Sequence, residues 1–180
     1  TATCTVTVSE DAPAVIEDTL EGNITADRTI SAANKNFLKG FVYVKSGATL
    51  TIEAGSVIKG ISVASGERAA SLIIEPGAKI IAEGTVDKPI VFTSDKEPGK
   101  RVTGDWGGLI ICGNARVNRT NQPTIEGGPG THYGNTTSDE FNGESSGKLK
   151  YVRIEFAGYP LEPDKEINGL TFGGVGSGTE

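Results

Sequence analysis

The 180-residue chain contains no methionine, one tryptophan, one histidine and two cysteines, and aromatic residues make up only 6 % of it. With no methionine even at position 1, the natural N-terminus is expected to have been cut away, as in a secreted protein that has lost its signal peptide. A single histidine, His132, leaves any zinc site dependent on carboxylates or thiols, and its Gly-Thr-His-Tyr-Gly setting reads as a solvent-exposed loop. No apolar run approaches the length of a bilayer span, so no membrane-crossing helix is expected. No segment combines length with a 3.6-residue period, which argues against a helical solenoid. Basic residues are outnumbered: the net charge is −6, and a phosphate backbone calls for a basic surface, so nucleic acid is not expected as a partner.

What the chain does have is glycine, 25 of them, and an internal repeat. Ala48-Thr-Leu-Thr-Ile-Glu-Ala-Gly-Ser-Val-Ile58 matches Ala70-Ser-Leu-Ile-Ile-Glu-Pro-Gly-Ala-Lys-Ile80 at an offset of 22 residues, and Val42–Gly47 resembles Ile61–Gly66 at a shorter offset. A unit this short cannot bury its own apolar side chains, so it must stack on copies of itself. Strands are predicted at Phe41–Val44, Thr49–Glu53, Val57–Lys59, Ile61–Val63, Leu72–Glu75, Lys79–Ala82, Ile90–Thr93, Leu109–Cys112, Leu149–Phe156 and Leu170–Phe172. Corners are predicted at Gly47, Gly55, Gly60, Gly66, Gly77 and Gly84. Hairpin dipeptides are scarce, which disfavours a β-sandwich. The fold expected is an all-β, right-handed parallel β-helix of five to seven coils.

The two ends of the pattern differ. Residues 2–9 alternate, with Ala2, Cys4, Val6 and Val8 on one face and Thr3, Thr5, Thr7 and Ser9 on the other, as in a half-buried strand. Residues 10–22 are acidic and read as a linker, so that 1–22 forms an N-terminal arm and 23–180 the β-helix. Gly113–Gly147 is polar, rich in glycine and asparagine and without period, and reads as a long excursion from the solenoid. Charge runs acidic (1–22), basic (23–120), then acidic again, which is either ordinary surface variation or head-to-tail complementarity between copies.

Several phrases resemble a widespread family of secreted bacterial, pectin-lyase-like right-handed parallel β-helices. They are Gly40-Phe-Val-Tyr-Val44 with Gly47–Glu53, Ile81–Thr85 with Lys88–Ser94, Gly104-Asp-Trp-Gly-Gly-Leu-Ile110, Leu149–Gly158 and Glu166–Thr171. The resemblance covers about residues 23–180. It implies the fold but no assigned activity, and members usually continue past a phrase like Val175–Thr179. Cys112 stands where the family commonly has an aliphatic residue.

Polysaccharide cleavage on such a fold needs clustered carboxylates with Ca²⁺, or paired acids with a basic residue. Glu53 and Glu75 are expected one coil apart at corner positions, solvated rather than catalytic. Glu155, Glu162, Asp164 and Glu166 have no spacing of a known Ca²⁺ loop, so no catalytic, cofactor or metal residue is assigned and Ca²⁺ is a minor expectation. Trp106 is expected to cover an apolar column, with a sugar contact as the second reading. Cys4 and Cys112 form either one disulfide or two buried thiols. Thr19, in Asp-Thr-Leu, and Asn23, Asn118 and Asn135, in sequons, are candidate glycosylation sites. The function expected is a secreted cell-surface structural protein, its partner another copy of itself, that forms an open filament by donating the 2–9 strand (Ala2, Cys4, Val6, Val8). The alternative is a β-helix that binds or cleaves carbohydrate.

Overall fold

The computed structural model describes residues 14–63, 69–126, 129–162 and 165–180. The chain winds into five stacked coils around a three-sided core. The first coil holds β1 (Glu17–Ile24) and β2 (Arg28–Ile30); the second holds β3 (Lys35–Val44) and β4 (Thr49–Ile52). The third holds β5 (Val57–Gly60), β6 (Ser71–Ile74) and β7 (Lys79–Glu83); the fourth holds β8 (Ile90–Ser94), β9 (Leu109–Cys112) and β10 (Gly147–Lys150). The fifth holds β11 (Val152–Ile154), an antiparallel pair β12 (Pro160–Glu162) and β13 (Lys165–Glu166), and β14 (Leu170–Gly173). Apart from that pair, every strand-to-strand ladder is parallel. The architecture is a parallel β-helix, as the sequence predicts.

The long strand β3 explains the three sides. Its first half pairs with β5 and its second half with β6, and the chain turns between them at Gly40, where φ is 59°. One side therefore stacks the start of β1, the start of β3, β5, β8 and β11. A second stacks the ends of β1 and β3, β6, β9 and β14, and the third stacks β2, β4, β7 and β10. The last residues join that third side, where Glu180 exchanges backbone hydrogen bonds with Gly147 and Leu149.

Alternation decides which side chains enter the core. On the second side Val42, Leu72, Leu109 and Leu170 follow one another inward, as do Val44, Ile74, Ile111 and Phe172. On the first side the inward series runs Leu20, Leu38, Gly60, Ser94. Gly60 leaves a space there that Trp106 fills from the corner after β8: a Cβ on Gly60 would lie 2.6 Å from the Trp106 Cβ. Trp106 is fully buried, stacks on Phe92 at 6.3 Å between ring centroids, and donates its indole N–H to the Glu155 carbonyl at 2.8 Å. The structural expectation for Trp106 holds, and its ring offers no face to a sugar.

The 22-residue repeat has a different meaning from the one its sequence suggests. In the stack Leu50 lies on Ile80 and Val42 on Leu72, so 42–52 aligns with 72–82 and not 48–58 with 70–80. The sequence match instead superposes two tight turns of one kind at different corners of the triangle. Glu53-Ala-Gly-Ser56 leads from the third side to the first, and Glu75-Pro-Gly-Ala78 from the second to the third. In both, a hydrogen bond closes the fourth residue on the first and glycine takes φ of 89° or 82°, as type II geometry requires. Glu53 and Glu75 consequently do not form a column. Glu53 accepts hydrogen bonds from Ser31 and the Ala32 N–H, and Glu75 pairs with Lys45 at 2.6 Å.

Other expectations shift. Residues 17–22, read as linker, belong to β1, so the solenoid begins before Asn23. Leu20 and Ile24 are the buried residues of β1; Asp18, half-buried on the same face as Leu20, pairs with Arg28 of the same coil, while Glu17 and Glu21 face outward and pair with Lys35 and Lys39 of the next coil. Much of the acidic-then-basic charge order is thus satisfied within one chain. Residues 61–63 form no strand, and Gly60 lies inside β5 rather than at a corner. The predicted strand 149–156 breaks at Tyr151, which turns the corner with φ of 48°. Residues 2–9, Gly66 and Asp164 lie outside the described residues. We expect Trp106→Ala to destabilise the fold by about 3–5 kcal/mol and Gly60→Ala by about 1–3 kcal/mol through overpacking. Urea unfolding followed by circular dichroism measures both, and a neutral Gly60→Ala would refute the assigned packing.

Candidate functional site

The outer surface of the second side is not exposed. Phe41, Tyr43, Ile73, Ile110 and Cys112 point outward there, and Ile125, Tyr133 and Ile167 cover them to make a second, smaller core. The cover comes from the excursion 113–146, between β9 and β10, and from the segment before β14. Segments held this way keep order without long strands: bridges join Arg116 to Asn135 and Thr124 to His132. Asn114 and Asn142 add hydrogen bonds across the base, to Glu144 and to the Arg116 N–H. His132 itself is exposed, as expected.

Two clefts border this excursion. One, of about 520 Å³, is an open polar basin among Arg116, Asn118, Arg119, Thr136, Asp139 and Asn142, with Arg116 paired to Asp139 at 3.2 Å. The other, of about 330 Å³, runs beside β14: Arg119, Glu126 and Tyr133 stand on the excursion side, Glu166 on the other, and Thr171 and Phe172 of β14 form its floor. Tyr133 and Ile125 are pressed against Gly173, where a Cβ would lie 2.7 Å from the Tyr133 ring. Among the described residues β14 pairs only with β9, so its other edge borders this groove unpaired. Leu170 and Phe172, inward-facing by register, are 38 % and 51 % exposed. Neither cleft is apparent from sequence, because its walls come from separate segments without periodicity, 116–119 and 136–142 in the first, 119–133 and 166–172 in the second.

The chain belongs to the pectate-lyase-like beta helix domain family. The family's model matches residues 22–180, which includes all coils but the start of the first. No curated protein and no solved structure gives a significant match. Family membership places the fold and leaves the chemistry to be read from the side chains.

Those side chains are mostly committed to structure. Asp105 is buried and accepts hydrogen bonds from Ser94 Oγ (2.7 Å), Lys96 Nζ (2.6 Å) and the Val102 N–H (3.0 Å). Burial alone would raise its carboxyl, but these hydrogen bonds and the Lys96 charge outweigh that and hold it below the usual range. Lys148 bridges Glu83 and Glu180 across successive coils, and both contacts raise its affinity for a proton. Glu155 accepts from Thr93 Oγ1 and pairs with Arg153, whereas Glu166 lines the second cleft; Asp164 lies outside the described residues. Among the described residues, no group of three or more His, Cys, Asp or Glu side chains is placed to hold a metal ion.

The remaining candidates are placed as follows. Cys112 is a fully buried thiol, pushed up to about 12 first by burial and then by the charge of Glu75; Cys4 lies outside the described residues. Asn23 and Asn118 are exposed. Asn135 is half-buried, with its amide donating to the Asn114 carbonyl and accepting from the Thr137 and Ser138 N–H groups, so it is engaged in the loop. Thr19 is exposed, but on strand β1 rather than in a linker.

Two measurements check these assignments. The depressed Asp105 carboxyl contributes stability that is present above the unfolded carboxylate value of about 3.9 and is lost as pH falls through its lower folded value. Asp105→Asn should cost roughly 3 kcal/mol at neutral pH and flatten the acid limb of the stability–pH curve; an unchanged acid limb would refute the role. In a Cys4→Ser background, Cys112 should resist a thiol-titrating disulfide reagent at pH 8 and react fully once the chain is unfolded.

Proposed function

We propose that the protein is a structural β-helix of the cell exterior that self-assembles head to tail into an extended filament. The observation that carries this reading is the outer layer of the fifth coil. There β11 and β14 each have one partner strand among the described residues, and Leu170 and Phe172 stand in the core register yet open to water. Unpaired parallel edges flanked by apolar side chains are templates for another strand. Covering the two side chains would contribute about 2 kcal/mol, and backbone pairing adds specificity. The contact is heterologous, joining unlike surfaces of two copies, and copies stacked along the coil axis do not close a ring, so its repetition gives an open filament. The engagement of Asp105, Glu53, Glu75 and Glu155 in ion pairs and turns agrees with a structural role rather than an enzymatic one. Secretion to the surface fits the same reading.

Deletion of residues 1–13, which spares β1, should leave a folded monomer by circular dichroism and sedimentation. Filaments seen by negative-stain microscopy with the full chain and persisting in this variant would refute assembly through the N-terminal arm.

A second reading rests on the polar basin. Its two arginines and its asparagine and threonine side chains could hold an acidic saccharide, since guanidinium groups match carboxylates in paired geometry. If this reading is correct, Arg119→Ala weakens binding on a glycan array at least tenfold while the full chain shows no filaments, and a lyase assay with Ca²⁺ then decides between binding and cleavage.

A further inference from the structure

Resting on the self-assembly reading, the geometry points to a definite seat for the incoming strand: the groove beside β14, occupied by residues 2–9 of a second copy running parallel to β14. The groove is bounded on its floor by an unpaired strand edge, so what fits it is an extended backbone. Its occupant should alternate. Side chains in register with Leu170 and Phe172 continue the apolar core, while those in register with Thr171 face the outer wall of Thr124, Tyr133 and Arg119.

Residues 2–9 have this alternation. With Cys4 beside Leu170, Thr5 falls beside Thr171 and Val6 beside Phe172, which pairs threonine with threonine and apolar with apolar. A register slip of one residue would place Thr5 over the core and Val6 against the polar wall, so the pattern selects which face of the arm turns inward. The segment carries no charge, and Glu10 and Asp11, directly after it, would leave the groove for solvent.

Reach identifies the donor as another copy. Ile16 is fixed in the first layer, where its carbonyl accepts the Lys35 N–H at 2.9 Å. Seven residue steps from Ile16 back to Ser9 extend at most about 25 Å. The layer beyond β14 lies five steps of ~4.8 Å from the first layer, about 24 Å along the axis alone, which leaves almost none of that reach for crossing a side of the triangle. A chain therefore cannot seat its own residues 2–9 fully in its own groove. A second copy stacked beyond the fifth coil has only one layer and the face-width to cross.

The test mixes one donor and one acceptor variant, each with a single introduced cysteine, in a Cys4→Ser background. One chain carries Thr5→Cys and the other Thr171→Cys; parallel neighbours lie within disulfide distance, and Cys112 is shielded by burial. The expected result is a disulfide-linked dimer formed in the mixture at least tenfold faster than with Arg153→Cys, on the edge of β11, as acceptor. Phe172→Lys, half-exposed in the monomer, should abolish filaments while leaving the circular dichroism spectrum unchanged. Filaments that cross-link through Arg153→Cys instead, or that survive Phe172→Lys, overturn the groove but leave self-assembly standing. A groove that binds a glycan and excludes the arm likewise overturns the seat alone, whereas a full chain that forms no filaments overturns both.

Discussion

Everything in this molecule depends on one requirement: a strand in a parallel stack satisfies its backbone only through the layers on either side of it. Apart from the β12–β13 pair, no strand has a hairpin partner within its own coil, so every N–H and C=O that points along the axis must find a neighbour there. That requirement fixes the register, and register in turn lines up the inward side chains in apolar columns. Where one layer offers only hydrogen, at Gly60, the column is completed by Trp106 reaching in from a corner. Among the described residues, the strands of the two end layers have a ladder partner on one side only.

The second side shows how a solenoid acquires a surface with character. A bare β-helix presents flat, repetitive faces. Here an excursion and the segment before β14 fold over one face, bury Ile73, Ile110 and Cys112 beneath Tyr133 and Ile125, and rise beside the fifth coil as a wall. Both clefts are products of that wall. Charge plays a smaller part: the pairs between β1 and β3 are exposed and contribute little individually, although together they orient an otherwise polar first strand.

The fold class and nine of the ten predicted strand segments were legible because inward side chains alternate and turns carry glycine at fixed places. The stacking period was not. Thr49–Ile52 and Ser71–Ile74 look alike because each precedes the same kind of turn, yet they lie on different sides of the triangle. Local turn chemistry leaves a stronger trace in sequence than tertiary neighbourhood does. The strand β1 was hidden for a related reason: Glu17 and Glu21 face outward and Asp18 takes a place in the inward register, so only Leu20 and Ile24 mark its core face. The clefts left no trace, since their walls are built from non-periodic segments whose position depends on the coils beneath them. Trp106 was legible in role because Asp105 and the glycines around it announce a crowded corner.

The spacing between stacked partners on the third side grows along the chain. Arg28 lies on Leu50, Leu50 on Ile80 and Ile80 on Gly147, separations of 22, 30 and 67 residues. Loop-closure entropy rises only logarithmically with length, so the widest of these gaps is about 1 kcal/mol less favourable to close than the narrowest. A stack of this kind is therefore nearly indifferent to what is inserted at its corners. The scaffold and its decoration can change independently, and the corner after β9 is where this chain has made use of that freedom.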